Sequence, residues 1–193
     1  MKNRSRDTLV MNGIHNHGSV RAKDDFYATQ PIATEQLVCL EDLSGCTILE
    51  PCCGTGHISK VLTDHGLDVI SSDLVDRGFG KVQDFFDIPS WDGHIVTNPP
   101  YTHAQECVQH ALDIIPDGRL ACFFLKLTFL EGVKRRRMFD STPPIRIWVS
   151  TSRVVCAPNA DFASVRGSAV AYAWFIWQKG YQGPPTLGWF NPL

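Results

Sequence analysis

The tetrapeptide Asn98-Pro99-Pro100-Tyr101 has the residue types needed to make an aromatic amine react. Such an amine is a poor nucleophile because its lone pair is delocalised into the ring. The side-chain carbonyl of Asn98 and the backbone carbonyl of Pro99 could accept its two hydrogens and free that lone pair. Consecutive prolines would hold the second carbonyl rigidly, since proline fixes φ and keeps the preceding residue extended. Tyr101 offers a ring face for stacking. The alternative interpretation is a structural turn that ends a strand.

Three further groups of residues could hold a ligand, because each follows a predicted strand. The first is the turn 50–56, Glu-Pro-Cys-Cys-Gly-Thr-Gly, whose glycines would let the backbone approach a ligand and lead into a helix N-terminus. The second is Asp73, which could bond two ribose hydroxyls. The third is Asp84 beside Phe85, which could take an adenine amine and stack on the ring. Taken singly, each group could instead be a tight turn or a cap.

The pattern within this turn argues against two common nucleotide sites. It is not GxGxxG, and GxxxxGK[ST] occurs nowhere in the sequence, so the dinucleotide-binding and P-loop interpretations lose ground. Glu50 stands where it would repel a phosphate, and a ligand with an ammonium group suits that position better. Cys52, Cys53 and His57 lie close in sequence but lack the spacing of a tetrahedral zinc site, so we expect no metal.

The elements that must position these residues alternate along the chain. Strands alternating with helices imply parallel βαβ units and a doubly wound, Rossmann-like α/β sheet. The last two strands have no predicted helix between them, so they could pair as an antiparallel hairpin at a sheet edge. The sequence predicts helices over 34–43, 58–65 and 103–115, and strands over 46–49, 68–72, 81–83, 94–97, 120–125, 146–150 and 171–178.

Length and composition are those of an ordinary single domain. The 193 residues are 44% hydrophobic and 20% charged, and no apolar run approaches the roughly 20 residues that a membrane helix needs. Residues 1–23 are polar and aperiodic and are expected to form a flexible tail ahead of one domain at 24–193. The seven cysteines include no CxxC and the N-terminus has no secretory signal, which together predict a reducing, cytoplasmic location.

The formal net charge of −2 hides a strong asymmetry along the chain. Residues 31–118 hold three Lys/Arg and fourteen Asp/Glu, whereas residues 119–153 hold eight and two. The basic segment indicates a polyanionic partner, because its cations could follow a phosphate backbone. The alternative is a solvated helix face, since a helix would spread the charges around its axis. The candidate residues for nucleic-acid binding are Lys126, Lys134, Arg135, Arg136 and Arg137.

Together these motifs resemble those of S-adenosylmethionine-dependent methyltransferases, specifically the DNA adenine-N6 methyltransferases of the small phage and prophage type. The turn 50–56 resembles the first motif of that family, and Asn98 to Tyr101 match its catalytic motif letter for letter. Residues 26–31, residues 129–132 with the basic run after them, and residues 171–177 also resemble this group. The resemblance covers roughly residues 24–190.

The resemblance implies S-adenosylmethionine as cofactor and the N6 of a flipped adenine in DNA as methyl acceptor. Glu50 and the backbone that follows it would hold the methionine end of the cofactor, with Thr29 closing over it. Asp73 would bind the ribose hydroxyls, and Asp84 with Phe85 would hold the adenine. The implied cofactor-binding residues are Tyr27, Thr29, Glu50, Pro51, Cys52, Gly54, Gly56, Asp73, Asp84, Phe85 and Asn98.

Base flipping follows from this interpretation, because a base inside a duplex cannot reach such a pocket. Phe162 and Tyr172 are candidates for the ring on the second face of the flipped base, although the apolar run after Tyr172 favours a place in the core. Few residues follow Gln178, so we expect no separate target-recognition domain and short or relaxed sequence recognition. Three alternatives stay open: RNA adenine-N6 methylation, protein-glutamine methylation and a non-catalytic nucleic-acid-binding relative.

Overall fold

A computed structural model describes residues 25–165 and 167–192. The tail predicted at 1–23 lies outside these ranges. The described chain contains ten strands and four α-helices: β1 (Tyr27–Thr29), α1 (Pro31–Leu40), β2 (Ile48–Glu50), α2 (His57–Asp64), β3 (Val69–Asp73), β4 (Lys81–Val82), β5 (His94–Thr97), α3 (Ala104–Ile114), β6 (Leu120–Lys126), α4 (Val133–Ser141), β7 (Arg146–Ser150), β8 (Cys156–Pro158), β9 (Tyr172–Gln178) and β10 (Thr186–Phe190). None of these helices is long and apolar enough to cross a bilayer.

Eight strands form one mostly parallel sheet in the order β10-β7-β9-β6-β5-β2-β3-β4. Only β9 runs antiparallel to its neighbours β6 and β7. The predicted doubly wound α/β class and the antiparallel pairing of the last two predicted strands are therefore confirmed. The predicted pair corresponds to β7 and β9, and it does not lie at the edge of the sheet as expected. Strand β10 pairs with β7 and forms that edge.

The burial of β9 explains this difference from the predicted edge hairpin. All six residues from 172 to 177 are buried, so the strand needs cover on both faces and a neighbour on each side. Strand β10 has the pattern of an edge strand, with Leu187 and Trp189 exposed. The sequence analysis missed β10, a short strand that begins directly after two prolines. Its Gly188 lies against the Trp148 ring, where an added Cβ would come within 2.1 Å of a ring carbon.

Two layers of helices cover the sheet because buried side chains alternate along the central strands. On β6, Phe123 and Leu125 point into a core shared with α3 and α4, whereas Cys122 and Phe124 point into a core shared with α1 and α2. This is the period of two expected of a strand buried on both faces. The sheet order reverses at β2, which has β3 on one side and β5 on the other. Ligands bind at such a switch point, beyond the carboxyl ends of the strands.

A separate two-stranded ladder lies outside the main sheet. Strand β1 pairs antiparallel with β8, placing Tyr27 opposite Pro158 and Thr29 opposite Cys156. The sequence predicted neither strand, because each has only three residues and finds its partner about 130 positions away. Helix α1 follows β1 directly and begins at Pro31, whose ring fixes the φ of a first helical residue. It therefore starts and ends about three residues before its predicted bounds.

Candidate active site

A cavity of about 310 Å³ lies at the carboxyl ends of β2 and β5. The β1 segment, residues 25–29, closes one side of it. Most of the residues predicted to form the site line this cavity: Tyr27, Thr29, Glu50, Pro51, Cys52, Asp73, Asp84, Phe85, Asn98, Pro99 and Pro100. Gly54, Gly56 and Tyr101 do not line it. The fold thus brings together three strand ends and a crossing segment that are far apart in sequence.

The two glycines of the turn 50–56 make room for aromatic rings. Gly54 and Gly56 have φ values of 54° and 80°, a backbone conformation that other residues rarely adopt. A Cβ on Gly54 would come within 2.2 Å of the Phe26 ring, and one on Gly56 within 2.4 Å of the Phe79 ring. These glycines therefore shape the turn behind the cavity, and their predicted contact with a cofactor stays a prediction.

Asp73 holds the same turn from the end of β3. Its Oδ2 accepts a hydrogen bond from the backbone N–H of Gly54 at 2.8 Å, and its Oδ1 accepts one from Val75 at 2.9 Å. Each carboxylate oxygen has a second lone pair, so acceptor capacity is left for ligand hydroxyls. The residue is thus placed where ribose binding is predicted, and it also fixes the geometry of the glycine turn.

Glu50 at the end of β2 is a buried carboxyl group that is 1% exposed. Its Oε2 accepts hydrogen bonds from the backbone N–H of Ser59, at 2.8 Å, and from the Ser59 hydroxyl. Burial raises the pKa of Glu50 to about 8, and the charge of Asp73 adds to this, while the Ser59 bonds oppose it. A ligand ammonium at this position would favour the ionised form, because it offsets the cost of burying the negative charge.

The far end of the cavity combines a carboxylate with aromatic rings. Asp84 Oδ1 accepts a hydrogen bond from the Phe86 N–H at 2.9 Å. The Phe85 ring is buried and meets His110 edge-on, with the ring centroids 4.8 Å apart. The His110 ring nitrogen Nε2 lies 2.9 Å from the Phe85 carbonyl oxygen, which ties α3 to this turn. The pair predicted to hold an adenine is therefore supported from behind by α3.

The orientation of the Asn98 side chain is fixed by its neighbours on β1. Its Nδ2 donates to the backbone oxygen of Tyr27 and to Thr29 Oγ1, both at 2.9 Å. A backbone oxygen can only accept, so the amide nitrogen must face Tyr27. Asn98 Oδ1 is buried and has no hydrogen-bond partner among the described residues. Asn98 lines the cavity, and its carbonyl oxygen has acceptor capacity that the described residues leave unused.

Tyr101 faces a smaller groove of about 110 Å³ beside the main cavity, and Lys126 and Phe129 line it too. Lys126 Nζ lies over the Tyr101 ring, 4.2 Å from its centroid. The Tyr101 hydroxyl donates to the Tyr172 hydroxyl at 3.3 Å, and burial raises the Tyr101 pKa. Tyr172 is buried and stacks on Phe124, as the favoured core interpretation predicts.

The second stacking candidate, Phe162, lies elsewhere. Its ring packs against His57 with the centroids 5.2 Å apart, and His57 lines the main cavity. Phe162 therefore borders the cofactor side of the site, and no contact with Tyr101 is observed among the described residues. Its proposed role on the second face of a flipped base stays a prediction.

The basic run lies on α4, where its four side chains differ in their contacts. Arg135 donates through Nε to the Phe129 carbonyl at 2.8 Å, and through Nη2 to the carbonyls of Thr128 and Glu131. Arg136 forms an ion pair with Asp140 at 2.7 Å. The exposed side chains of Lys134 and Arg137 have no polar partner within the described ranges. Their positions suit a phosphate backbone better than those of Arg135 and Arg136.

Sequence reasoning missed several residues that line the cavity. Cys107 on α3 contacts Cys52, and His103 lies one turn before it, close to the tetrapeptide Asn98-Pro99-Pro100-Tyr101. His103 and Cys107 are four positions apart and follow Asn98-Pro99-Pro100-Tyr101 in a predicted helix. Residues at that spacing share a helix face, so the sequence could have indicated that both face the same site. All seven cysteines are free thiols. No group of three or more His, Cys, Asp or Glu that could hold a metal occurs in the described ranges.

Comparison with solved structures gives the class of fold. A protein of Listeria monocytogenes assigned to the class I S-adenosylmethionine-dependent methyltransferases superposes with a TM-score of 0.59 at 13% identity, over 86% of this chain and 66% of its own. A modification subunit of Vibrio vulnificus assigned to a type I restriction enzyme gives 0.57 at 14%, over 86% and 46%. A dimethyladenosine transferase of Plasmodium falciparum gives 0.54 at 16%, over 78% and 62%.

These likenesses show that the chain has the class I S-adenosylmethionine-dependent methyltransferase fold. No protein-family model and no curated protein matches the sequence. The chain spans 66% and 46% of the lengths of the first two structures. The fold agrees with the cofactor expected from the motifs, and the identity of the methyl acceptor belongs to the proposal below.

Proposed function

We propose that this protein binds S-adenosylmethionine and transfers its methyl group to the exocyclic N6 of a flipped adenine in DNA. The observation that carries the proposal is the Asn98 side chain, whose nitrogen is held by Tyr27 and Thr29 while its oxygen stays buried and unpartnered. An unsatisfied buried acceptor is costly unless a ligand supplies its donor. An amine hydrogen is such a donor.

The cavity fits the proposed cofactor by size and by charge. Its volume of about 310 Å³ is within the range of small-molecule sites. Glu50, Asp73 and Asp84 line it in a row that suits a cationic ligand bearing ribose hydroxyls and an adenine. When bound, the cofactor supplies a methyl group on a sulfonium, which needs no further activation. Positioning by the protein therefore carries most of the remaining catalysis.

The residues of the catalytic tetrapeptide have separate tasks in this mechanism. Asn98 Oδ1 and the Pro99 carbonyl accept the two amine hydrogens, which favours a pyramidal nitrogen with a free lone pair. Pro99 and Pro100 restrict the backbone so that the second carbonyl stays in place. With the amine held in this way by Asn98 and Pro99, the bound cofactor would supply its methyl group to the nitrogen, whose extra proton would leave afterwards. No general base is needed before attack.

Support for nucleic acid as substrate comes from the basic side of the site. Lys126 lies on the ring of Tyr101, and Lys134 with Arg137 project from α4 without polar partners in the described chain. Cations with no internal partner can neutralise phosphates. A DNA strand that approaches along α4 would bring a base toward Tyr101 and then Asn98.

The deciding experiment measures transfer of a tritiated methyl group to separate pools of DNA, RNA and protein. We expect label in DNA, recovered as N6-methyladenine after hydrolysis, and label in RNA or protein alone would replace the DNA assignment. Asn98→Ala should abolish transfer while calorimetry still detects S-adenosylmethionine binding. Gln109→Ala removes an exposed amide from α3 and is the matched control, with activity retained. Undiminished transfer by Asn98→Ala would overturn the mechanism, and absence of cofactor binding by the wild type would overturn the function.

A further inference from the structure

The segment that joins β6 to α4, together with the first residue of α4, presents two apolar side chains to solvent. Val133 is 93% exposed and Leu130 is 41% exposed, and they are three positions apart in a tight segment. Single exposed apolar side chains are common on protein surfaces. Two of them close together in a charged segment can instead mark a site that contacts another molecule. We refer to residues 130–133 as the tip.

Internal contacts hold the tip in its observed shape. Arg135 donates hydrogen bonds to the carbonyls of Thr128, Phe129 and Glu131 and lies over the Phe129 ring, 4.9 Å from its centroid. Gly132 has a φ of 114°, and a Cβ there would come within 3.0 Å of the Arg135 guanidinium. The Arg135 contacts therefore fix the conformation of this turn. In that conformation the Arg135 side chain packs against the protein and the Val133 side chain is exposed to solvent.

Two cations follow the apolar tip along α4. Lys134 and Arg137 are exposed, are three residues apart on α4 and so share a face of the helix. Neither has a polar partner in the ranges that the structure describes. An apolar tip with cations beside it is complementary to a duplex, which has stacked bases inside and phosphates outside.

The tip adjoins the catalytic tetrapeptide. Thr128, Phe129 and Arg135 line the same groove of about 110 Å³ as Tyr101 and Lys126. Tyr101 ends the tetrapeptide whose Asn98 faces the cofactor cavity. A base that leaves a duplex to reach Asn98 would therefore leave its gap close to residues 130–133.

We propose that Leu130 and Val133 form a wedge that enters the base stack of a DNA duplex and fills the space vacated by the target base. Lys134 and Arg137 hold phosphates beside the opened position. Apolar side chains inserted between bases offset the loss of stacking that flipping requires. This inference rests on the proposed function, and it assigns a duplex as the substrate form that needs the 130–133 tip.

The test compares one adenine-containing strand alone and in a duplex. Leu130→Ser with Val133→Ser should lower the ratio of duplex to single-strand methylation at least tenfold, because a single strand has no stack to open. Leu187→Ser, which removes an exposed leucine from edge strand β10, is the matched control and should leave the ratio unchanged. An equal loss on both substrates, or no loss on the duplex, would overturn the wedge.

A binding measurement separates this inference from the proposed function. The wild type should bind a duplex with one abasic position at least fivefold more tightly than the fully paired duplex, since the wedge enters a gap that already exists. The double variant should lose that preference. If the wild type methylates no nucleic acid, the proposed function fails, whereas equal binding of both duplexes by the wild type would overturn the wedge whatever the activity.

Discussion

The ammonium group of Lys126 lies 4.2 Å from the centroid of the Tyr101 ring. Tyr101 ends the tetrapeptide that begins at Asn98, and Lys126 ends β6 in the centre of the sheet. One face of the Tyr101 ring is therefore covered by a cation, and under the proposed function a base could stack on that face only after the ammonium moved. A moved ammonium would stay close to the base and to its phosphate.

We expect Lys126→Met to lower kcat/KM for nucleic acid about tenfold with cofactor affinity unchanged. Tenfold corresponds to about 1.4 kcal/mol, close to the contribution of one hydrogen bond to a charged group, here between the moved ammonium and a phosphate. Steady-state kinetics and calorimetry measure the two quantities, and Lys126→Arg should keep most of the activity. Faster turnover of Lys126→Met would mean that the lysine only obstructs the ring.

Thr29 acts on Asn98 in the structure, whereas the sequence resemblance implies that it closes over the cofactor. Thr29→Val removes one of the two oxygen acceptors of Asn98 Nδ2, so kcat should fall about tenfold, the effect of roughly one lost hydrogen bond. Thr29→Ser should restore kcat, because it keeps the hydroxyl. An increase in the cofactor Kd with unchanged kcat would favour the role implied by the resemblance instead.

The raised pKa of Glu50 predicts how stability depends on pH. Burial raises the pKa from 4.5 in a model carboxyl to about 8 in the folded protein, so between these values only the unfolded state loses the proton. The folding contribution of this group is therefore full below about pH 4.5 and is lost as the pH rises toward 8, at a rate of at most about 1.4 kcal/mol per pH unit.

Glu50→Gln removes this titration. The free energy of unfolding of the variant, relative to that of the wild type, should therefore be higher at pH 8 than at pH 5. Urea unfolding at the two pH values measures the difference, and Glu106→Gln on the exposed face of α3 is the control. The same variant should bind S-adenosylmethionine more weakly, because it lacks the charge that faces an ammonium. A difference from wild type that is equal at pH 5 and pH 8 would contradict the raised pKa.

The two unpartnered cations of α4 should account for much of the salt dependence of DNA binding. Each phosphate contact contributes about 0.9 to the slope of log K against log salt, so Lys134→Gln with Arg137→Gln should lower its magnitude by about 2. Fluorescence anisotropy at several salt concentrations measures the slope. Lys81→Gln at the β4 edge is the control, and an unchanged slope in the double variant would assign these side chains to solvent.

A partly buried ion pair connects the end of α1 to β7, the strand next to edge strand β10. Glu41 accepts hydrogen bonds from Arg146 and from Trp148 Nε1, and its side chain is 2% exposed. Arg146→Met should lower the free energy of unfolding by about 3–5 kcal/mol, because it leaves a buried carboxylate without its cation. Asp140→Ala breaks the exposed pair with Arg136 and should cost less than about 1 kcal/mol. Similar losses in the two variants, measured by urea unfolding, would contradict this difference.

The amino-acid sequence by itself determined the alternation of strands and helices and the three strand ends that form the cavity. Apolar runs such as 120–125 and the Gly and Pro residues around them fix these elements locally. Asp73 and Asn98 follow strands directly, so parallel pairing alone brings them to the same side of the sheet. The positions of most predicted site residues could therefore be inferred without coordinates.

Only the tertiary structure decided which partners the side chains have. The contacts of Thr29 with Asn98, of Lys126 with Tyr101 and of Cys52 with Cys107 join elements separated by loops of unequal length. The basic run looked uniform in sequence, yet Arg135 turns inward because carbonyl groups of the preceding turn need a donor. Contacts between distant segments depend on packing in three dimensions, which local pattern and spacing do not encode.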